Sequence, residues 1–518
     1  MRPVRLLSGI LTVGAWTLLS RILGFARDVL IAGLIGPGVL MDAFVAAFRL
    51  PNMFRRFFAE GAFNSAFVPM FSKRIEAEDN PEAFASLAMS GLALVLLFLT
   101  GLSMIFMPAL VYVTAEGFWG DPRFDLTVEY GRIVFPYILF ISLAALFSGV
   151  LNATGRFAAA AAAPVLLNVM LVIAMTAAWW VGGEVVKALV WTIPFAGIAQ
   201  LALVWGAARQ AGLNIRPVRP RWTPEIAQLV RIAVPAALAG GVVQINLLVG
   251  QLVASNYEGA ISWLYAADRL YQLPLGVVGI AVGIVLLPDL SRRLQAGDDT
   301  GAKEAFSRAG EISLALTIPC AVALMVIPLP IVSVLFERGA FDTDDTAATA
   351  LAVTIYGLGL PAFVLQKILQ PLYFAREDTK SPFRYAVVAM VINAVLAVGL
   401  GYAIGWIASA IATTAAGWAM VWLLARGARP MGDVARFDAG LRRRMWRVCA
   451  ASAVMGVVLW LISAFGTPLF GLAGWRWLAL LAMIAGGVAT YLAAGQILGA
   501  FKLSEFRTAL RRNRETRP

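Results

Sequence analysis

Runs of about twenty apolar residues follow one another from end to end of the chain, divided by short polar joints. As a helix, each run covers about 30 Å of hydrocarbon at 1.5 Å per residue. The ten-residue alternation of a transmembrane barrel is missing from the pattern. The prediction is therefore all-α: a polytopic membrane protein of about fourteen helices. They fall at 6–35, 39–71, 83–113, 127–153, 158–181, 186–208, 226–255, 259–291, 305–336, 346–374, 382–401, 404–426, 444–465 and 475–500. An even count sets both termini on one side.

Composition agrees. The 518 residues are 60% hydrophobic and 14% charged, with a mean hydropathy of +0.80, where soluble domains carry roughly a quarter charged residues. The start, MRPVRLLSGILTVGAW, has the look of a signal peptide, but no small-x-small cleavage site follows and the apolar run continues to Ile35. An uncleaved first helix is expected. The two cysteines, Cys320 and Cys449, fall inside predicted helices, so no disulfide framework is expected. The chain has no histidine, which removes histidine metal sites, catalytic dyads and proton relays together.

The net charge of +12 changes meaning once it is placed on the chain. One set of joints holds Arg2 and Arg5, Lys73 and Arg74, Arg156, Arg209 to Arg221, Arg292 and Arg293, Arg376 to Arg384, Arg426 to Arg447 and the tail RRNRETRP. The other set has few cations (Arg123, Lys187, Arg338, Arg476) and is acidic around Glu116–Asp125 and Asp342–Asp345. By the positive-inside rule the first set, with both termini, is cytoplasmic. The charge is then a topology signal, and no nucleic acid is expected. The basic run LRRRMWR at 441–447 also sits where anionic lipid would attract it.

The pattern repeats. VPMFSKR at 68–74 matches LPDLSRR at 287–293, FRLPN at 48–52 matches DRLYQLP at 268–274, Pro136 matches Pro361, and Asn168 matches Asn393. The offset stays at 219–225 residues. Six helices thus recur as six helices in the same orientation, a parallel repeat about an axis along the membrane normal. The expected division is an N-lobe at 1–215 (helices one to six), a C-lobe at 216–430 (helices seven to twelve), and 431–518 with helices thirteen, fourteen and a basic cytoplasmic tail. The last two helices have no counterpart. Their Gly, Ala and Trp suit close packing or an acyl-chain groove.

Ionised side chains at membrane depth cost roughly 2.5–3.5 kcal/mol each on insertion scales, so they mark function. Ser20 to Ala62 places Arg21, Arg27, Asp28, Asp42, Arg49, Arg55, Arg56 and Glu60 in otherwise apolar sequence, and helix eight adds Asp268 and Arg269. Cations outnumber acids in this set. Some of these arginines pair with Asp28, Asp42, Glu60 or Asp268, and the surplus is left for a ligand. Guanidinium forks suit phosphate oxygens, and a diphosphate satisfies two or three of them at once. Asp42, Arg49 and Arg56, spaced by seven, share a helix face, and Pro51 offers a bend that helps Arg55 reach the same point.

SRILGFARD, MDAF, FRLPNMFRRFFAEGAF, FVP, FPYIL, YAADRL, GVVGIAVGIVLLP and LFERGAF resemble the MurJ (MviN) family of lipid II flippases, within the multidrug and oligosaccharidyl-lipid exporters. The likeness spans almost the whole chain. It implies alternating-access transfer of an undecaprenyl-diphosphate-linked peptidoglycan precursor across the bacterial plasma membrane, with lipid II as substrate. It puts the family's cavity arginines on Arg21, Arg27, Arg55 and Arg269, and its essential acid on Asp42. Asp28, Arg56 and Glu60 join Asp42 as charge partners or gating residues. Two departures stand out. A position acidic in some relatives is Gln272, and helices seven and eleven offer Gln244, Asn246, Gln251 and Asn393 in place of the carboxylates of a sodium site. No metal site and no certain cofactor are expected. The drive is left open between sodium, a proton and the membrane potential.

The working expectation is a transporter with Arg27, Arg55 and Arg269 clamping the diphosphate, Arg21 nearer the lateral entrance, and Asp42 pairing with them when the site is empty. Cell-wall synthases are candidate partners. The alternatives are an exporter of other polyprenyl-linked oligosaccharides or of drugs, and a membrane-embedded polyprenyl-diphosphate enzyme. Cationic drugs want carboxylates in the cavity, where arginine dominates here. The enzyme wants an acidic pair for Mg²⁺, and Asp28 and Asp42 are not spaced as one. No polar joint is long enough to form the domain of a scaffold or signalling subunit.

Overall fold

A computed structural model describes residues 3–55, 62–281, 286–465 and 475–500. The regular structure of the described residues is helical: α1 (Pro3–Ile35), α2 (Val39–Arg55), α3 (Ala62–Glu76), α4 (Pro81–Ile105), α5 (Met107–Thr114), α6 (Pro122–Val134), α7 (Tyr137–Ala153), α8 (Ala158–Trp180), α9 (Val185–Gln210) and α10 (Pro224–Ala254). They continue as α11 (Ala260–Ala281), α12 (Leu287–Gln295), α13 (Asp299–Val326), α14 (Pro328–Phe336), α15 (Thr343–Phe374), α16 (Lys380–Ile404), α17 (Ala408–Gly427), α18 (Ala439–Phe465) and α19 (Arg476–Ile497).

Nine segments among the described residues are long and apolar enough to cross a membrane, one of them covering both α16 and α17. The other expected spans fall on α1, on α2 with α3, on α10 and on α11 with α12. These are the first two spans of each repeat. Charge explains part of this: α1 carries Arg21, Arg27 and Asp28.

Proline sets where helices break. Pro108 and Pro328 each follow a one-residue interruption, at Phe106 and Ile327, which splits the third and ninth expected spans at matching places. A proline lacks the N–H that would continue the ladder, so the first helical turn is its natural position. Pro136 likewise separates α6 from α7, whereas its counterpart Pro361 lies inside an unbroken α15.

The chain divides into two compact units, Met1–Ser262 with Arg338–Asp342, and Trp263–Glu337 with Thr343–Pro518. In the first, α4 packs on α7, and α9 on both α7 and α8. In the second, the same partnerships recur one repeat later: α13 on α15, and α17 on both α15 and α16. α10 belongs to the first unit because it lies along α3.

The first unit has an aromatic spine. Phe63, Phe67 and Phe71 stack at one-turn intervals along α3, and Phe84 of α4 lies 5.6 Å from Phe67. Between α7, α8 and α9, the buried Tyr137 hydroxyl donates to Gln200 at 3.2 Å, and the Gln200 amide donates to the Ala163 carbonyl at 2.8 Å. In the second unit Met455 and Leu459 of α18 pack with Met483 and Tyr491 of α19, and the Tyr491 hydroxyl donates to Ala315 O of α13 at 2.7 Å. The two helices without counterparts are thereby fixed to the second unit.

Candidate functional site

The charged set of α1 rests on α8. Arg27, with 12% of its side chain exposed, donates from Nε and Nη2 to Asp28 Oδ1 at 3.0 and 2.7 Å. Its Nη1 donates to Asn168 Oδ1 of α8 at 2.8 Å. The same Asn168 amide donates back to the Ser20 carbonyl of α1 at 3.0 Å. Asn168 therefore uses both ends of its amide, one to join the helices and one to hold the guanidinium. Asp28 is buried, so the pair keeps a cation in a weakly solvated place with its plane fixed. Arg21 is exposed on the same helix.

Asp42 does something different. It is fully buried in the first turn of α2 and accepts from the Gly259 amide at 2.7 Å, the Ser262 amide at 3.0 Å and the Ser262 hydroxyl at 2.5 Å. Those amides sit at the free N-terminus of α11, so one carboxylate caps a helix that follows more than two hundred residues later. Arg123 Nη1 approaches Asp42 at 3.6 Å, stacks on the Phe118 ring at 4.5 Å, and forks onto Asp121 at 3.0 Å. Hydrogen bonding to Arg123 holds the Asp121 carboxyl below its ordinary value. In this conformation the partners of Asp42 are Arg123 and the α11 terminus rather than the α1 arginines.

Asp42 and Ser262 are separated by the repeat offset, so equivalent positions of the two repeats bond to each other. Two further contacts flank them. Gly117, in the turn after α5, donates to Ser255 Oγ at 3.0 Å at the end of α10, where a Cβ would lie 2.5 Å from the Asn256 nitrogen. One repeat later, the Ala340 amide after α14 donates to Gly33 O at 3.1 Å at the end of α1. Each repeat's turn therefore docks on the other repeat's first helix.

Arg55 is half-buried in the last turn of α2, beside Phe54, whose ring meets Phe135 edge-on at 5.5 Å. Pro51 lies inside α2. Arg56 and Glu60 lie outside the described residues. In the second unit, the Arg269 guanidinium lies 4.3 Å from the centroid of the Tyr265 ring. Asp268 accepts from Gln272 and from Tyr271, neutral donors on its own helix. Tyr271 in turn packs on Tyr356 and Phe363 of α15, at 5.0 and 5.3 Å.

Of the residues named as sodium-site substitutes, Gln251 is buried and donates to Thr114 O at 3.2 Å, and Asn393 is fully buried in α16. Among the described residues no group of three acidic or sulfur side chains is placed to hold a metal. Asn168 and Arg123 are the residues that reading the sequence for function missed. Asn168 was visible only as a repeat landmark, and Arg123 only as one cation in an acidic joint.

Helix partnerships that recur in the two units, with the Arg27 guanidinium sheltered where α1 meets α8, define a polytopic helical membrane protein. A solved inward-facing multidrug resistance MATE transporter of the MOP superfamily has this fold, with a TM-score of 0.65 over 83% of this chain and 99% of that one, at 14% identity. The model of the family described as lipid II flippase MurJ matches residues 31–478, and the chain belongs to that family. A probable lipid II flippase MurJ of Rhizobium tropici is 44% identical over 97% of this chain and 96% of its own length. A lipid II flippase MurJ of Burkholderia cenocepacia is 35% identical over 75% and 77%. A solved lipid II flippase MurJ in an inward closed conformation superposes with a TM-score of 0.77, at 27% identity, over 94% of this chain and 98% of that one. The protein is thus a multi-pass protein of the bacterial inner membrane.

Proposed function

We propose that this chain is a lipid II flippase that carries the undecaprenyl-diphosphate-linked peptidoglycan precursor from the cytoplasmic to the outer leaflet by alternating access. Fourteen crossings, with both termini in the cytoplasm, accommodate the basic joints on one side. The observation that carries the reading is the half-buried Arg27, paired with Asp28 and oriented by Asn168 within a helix long enough to span the bilayer.

In this reading Arg27, Arg55 and Arg269 grip the diphosphate, and Arg21 meets it nearer the lateral opening. Asp28 is the placeholder for Arg27: it accepts the guanidinium hydrogen bonds until a phosphate oxygen takes them. Asn168 stays on Arg27 throughout and keeps its plane aimed. Asp42 holds the start of α11 rather than the arginines, and so favours one conformation of the protein over another. The substrate moves the equilibrium only through unequal affinity for those conformations. The surplus of guanidinium groups disfavours cationic drugs as cargo. A role beside cell-wall synthases follows from the same substrate.

The test is complementation of a strain lacking its flippase, with translocation measured in the same cells. Arg27→Ala and Arg55→Ala should insert at wild-type levels and fail to translocate, and Arg27→Lys should fail too, because an ammonium cannot make the fork. Normal turnover in both alanine variants would remove the clamp.

A further inference from the structure

The joint between the repeats, Arg209 to Arg221, has four arginines, two prolines and no acid. Past the end of α9 and a turn at 211–212, it runs along α4 without helical structure. The Arg216 amide donates to Ser86 Oγ at 3.1 Å and the Val218 amide to Ser90 Oγ at 2.9 Å, with Ile215 between helix and joint, 1% exposed. Two extended residues advance about 6.6 Å and one helical turn of four residues about 6 Å, so both hydroxyls meet their amides without distortion.

Beside this strap, between α4, α7 and α9, runs a groove of about 340 Å³, lined by Met89, Ala93, Leu97, Phe147, Trp205 and Val218. Its volume falls in the range of small-molecule sites, roughly 300–1,000 Å³. The lining is apolar, and Leu94 and Leu97 at its edge are 57% and 55% exposed, so it opens on a face suited to lipid. Cations rim it. The Arg209 guanidinium lies 4.7 Å from the centroid of Trp205, a wall residue, and Arg216, Arg219 and Arg221 are exposed on the strap that forms another wall.

We propose that this groove binds an anionic glycerophospholipid of the leaflet in which the strap lies, with one acyl chain in the slot and the phosphate between Arg209 and the strap arginines. A neutral apolar ligand would make no use of the cations beside the slot, and a soluble anion would leave the slot unfilled. The bound lipid would staple the joint between the repeats to α4. This site is separate from the α1 arginines and stands whether or not lipid II is the cargo.

The experiment is native mass spectrometry of the full chain in detergent, titrated with phosphatidylglycerol, phosphatidylcholine and undecaprenyl phosphate. One tight phosphatidylglycerol adduct is expected, with phosphatidylcholine weaker by at least tenfold. Arg209→Ala combined with Arg219→Ala should weaken that adduct about 25-fold, at about fivefold per arginine near an anionic surface. Ala93→Phe, which fills the slot, should abolish it while the thermal transition stays in place. Equal binding of phosphatidylcholine, unchanged occupancy in the double arginine variant, or preference for undecaprenyl phosphate would each overturn the proposal.

Discussion

Arg27 and Asp42 show two fates for a charge taken out of water. Arg27 keeps an acid beside it on its own helix and an amide across from it, an arrangement a phosphate can invade. Asp42 is satisfied by two backbone amides, a hydroxyl and an arginine, and little is left for a ligand to take. Asp42→Asn keeps the volume but turns one acceptor into a donor facing an amide. It should destabilise the protein by about 1–3 kcal/mol, more than Ser262→Ala, which loses one hydroxyl bond worth about 1 kcal/mol. Thermal unfolding of the purified variants in detergent checks the order, and equal transitions for Asp42→Asn and wild type would refute the capping role. The sequence showed that these residues were charged and too costly to be idle. It did not show their partners, because Asn168 and Ser262 lie 141 and 220 positions away and nothing local marks them.

Helices were legible almost everywhere, since lipid leaves the backbone no other way to satisfy itself. Their interruptions were harder to read. Pro108 and Pro328 open new helices, while Pro361, matched to the helix-breaking Pro136, is tolerated inside α15. The motif LFERGAF was recognised as a string, but its purpose is backbone contact: the turn at Gly339 and Ala340 lies directly on the end of α1 at Gly33 and Gly36. Gly36 has φ +70° and Gly339 φ +60°, and a Cβ on either would overlap a facing carbonyl oxygen. Gly36→Ala and Gly339→Ala should each cost more than the ~1 kcal/mol of an ordinary left-handed glycine, because the chain must also part there. Both should lower the unfolding temperature, whereas Gly14→Ala, with open space around it, should not.

For the whole molecule, the repeat was readable from offsets alone, and the recurrence of helix partnerships in the two units gives it a packing basis. The compact units are cut at Ser262, beyond the joint at 209–221, because α10 follows its neighbour α3 rather than its place in the repeat. Orientation is the prediction at this scale. Single cysteines placed at Arg156 and Arg292, in a background without Cys320 and Cys449, should react only with reagents that reach the cytoplasm. Cysteines at Trp119 and Asp342 should react from outside, and the opposite pattern would invert the charge argument. The bond between Asp42 and Ser262 carries a historical consequence. Had the ancestor been a pair of identical subunits, the same amino acid would have stood at both places: two aspartates would repel, and two serines would leave a helix start without its anion. Only copies of the gene free to diverge from each other can put acid opposite alcohol. Divergence after duplication was thus a precondition for this joint.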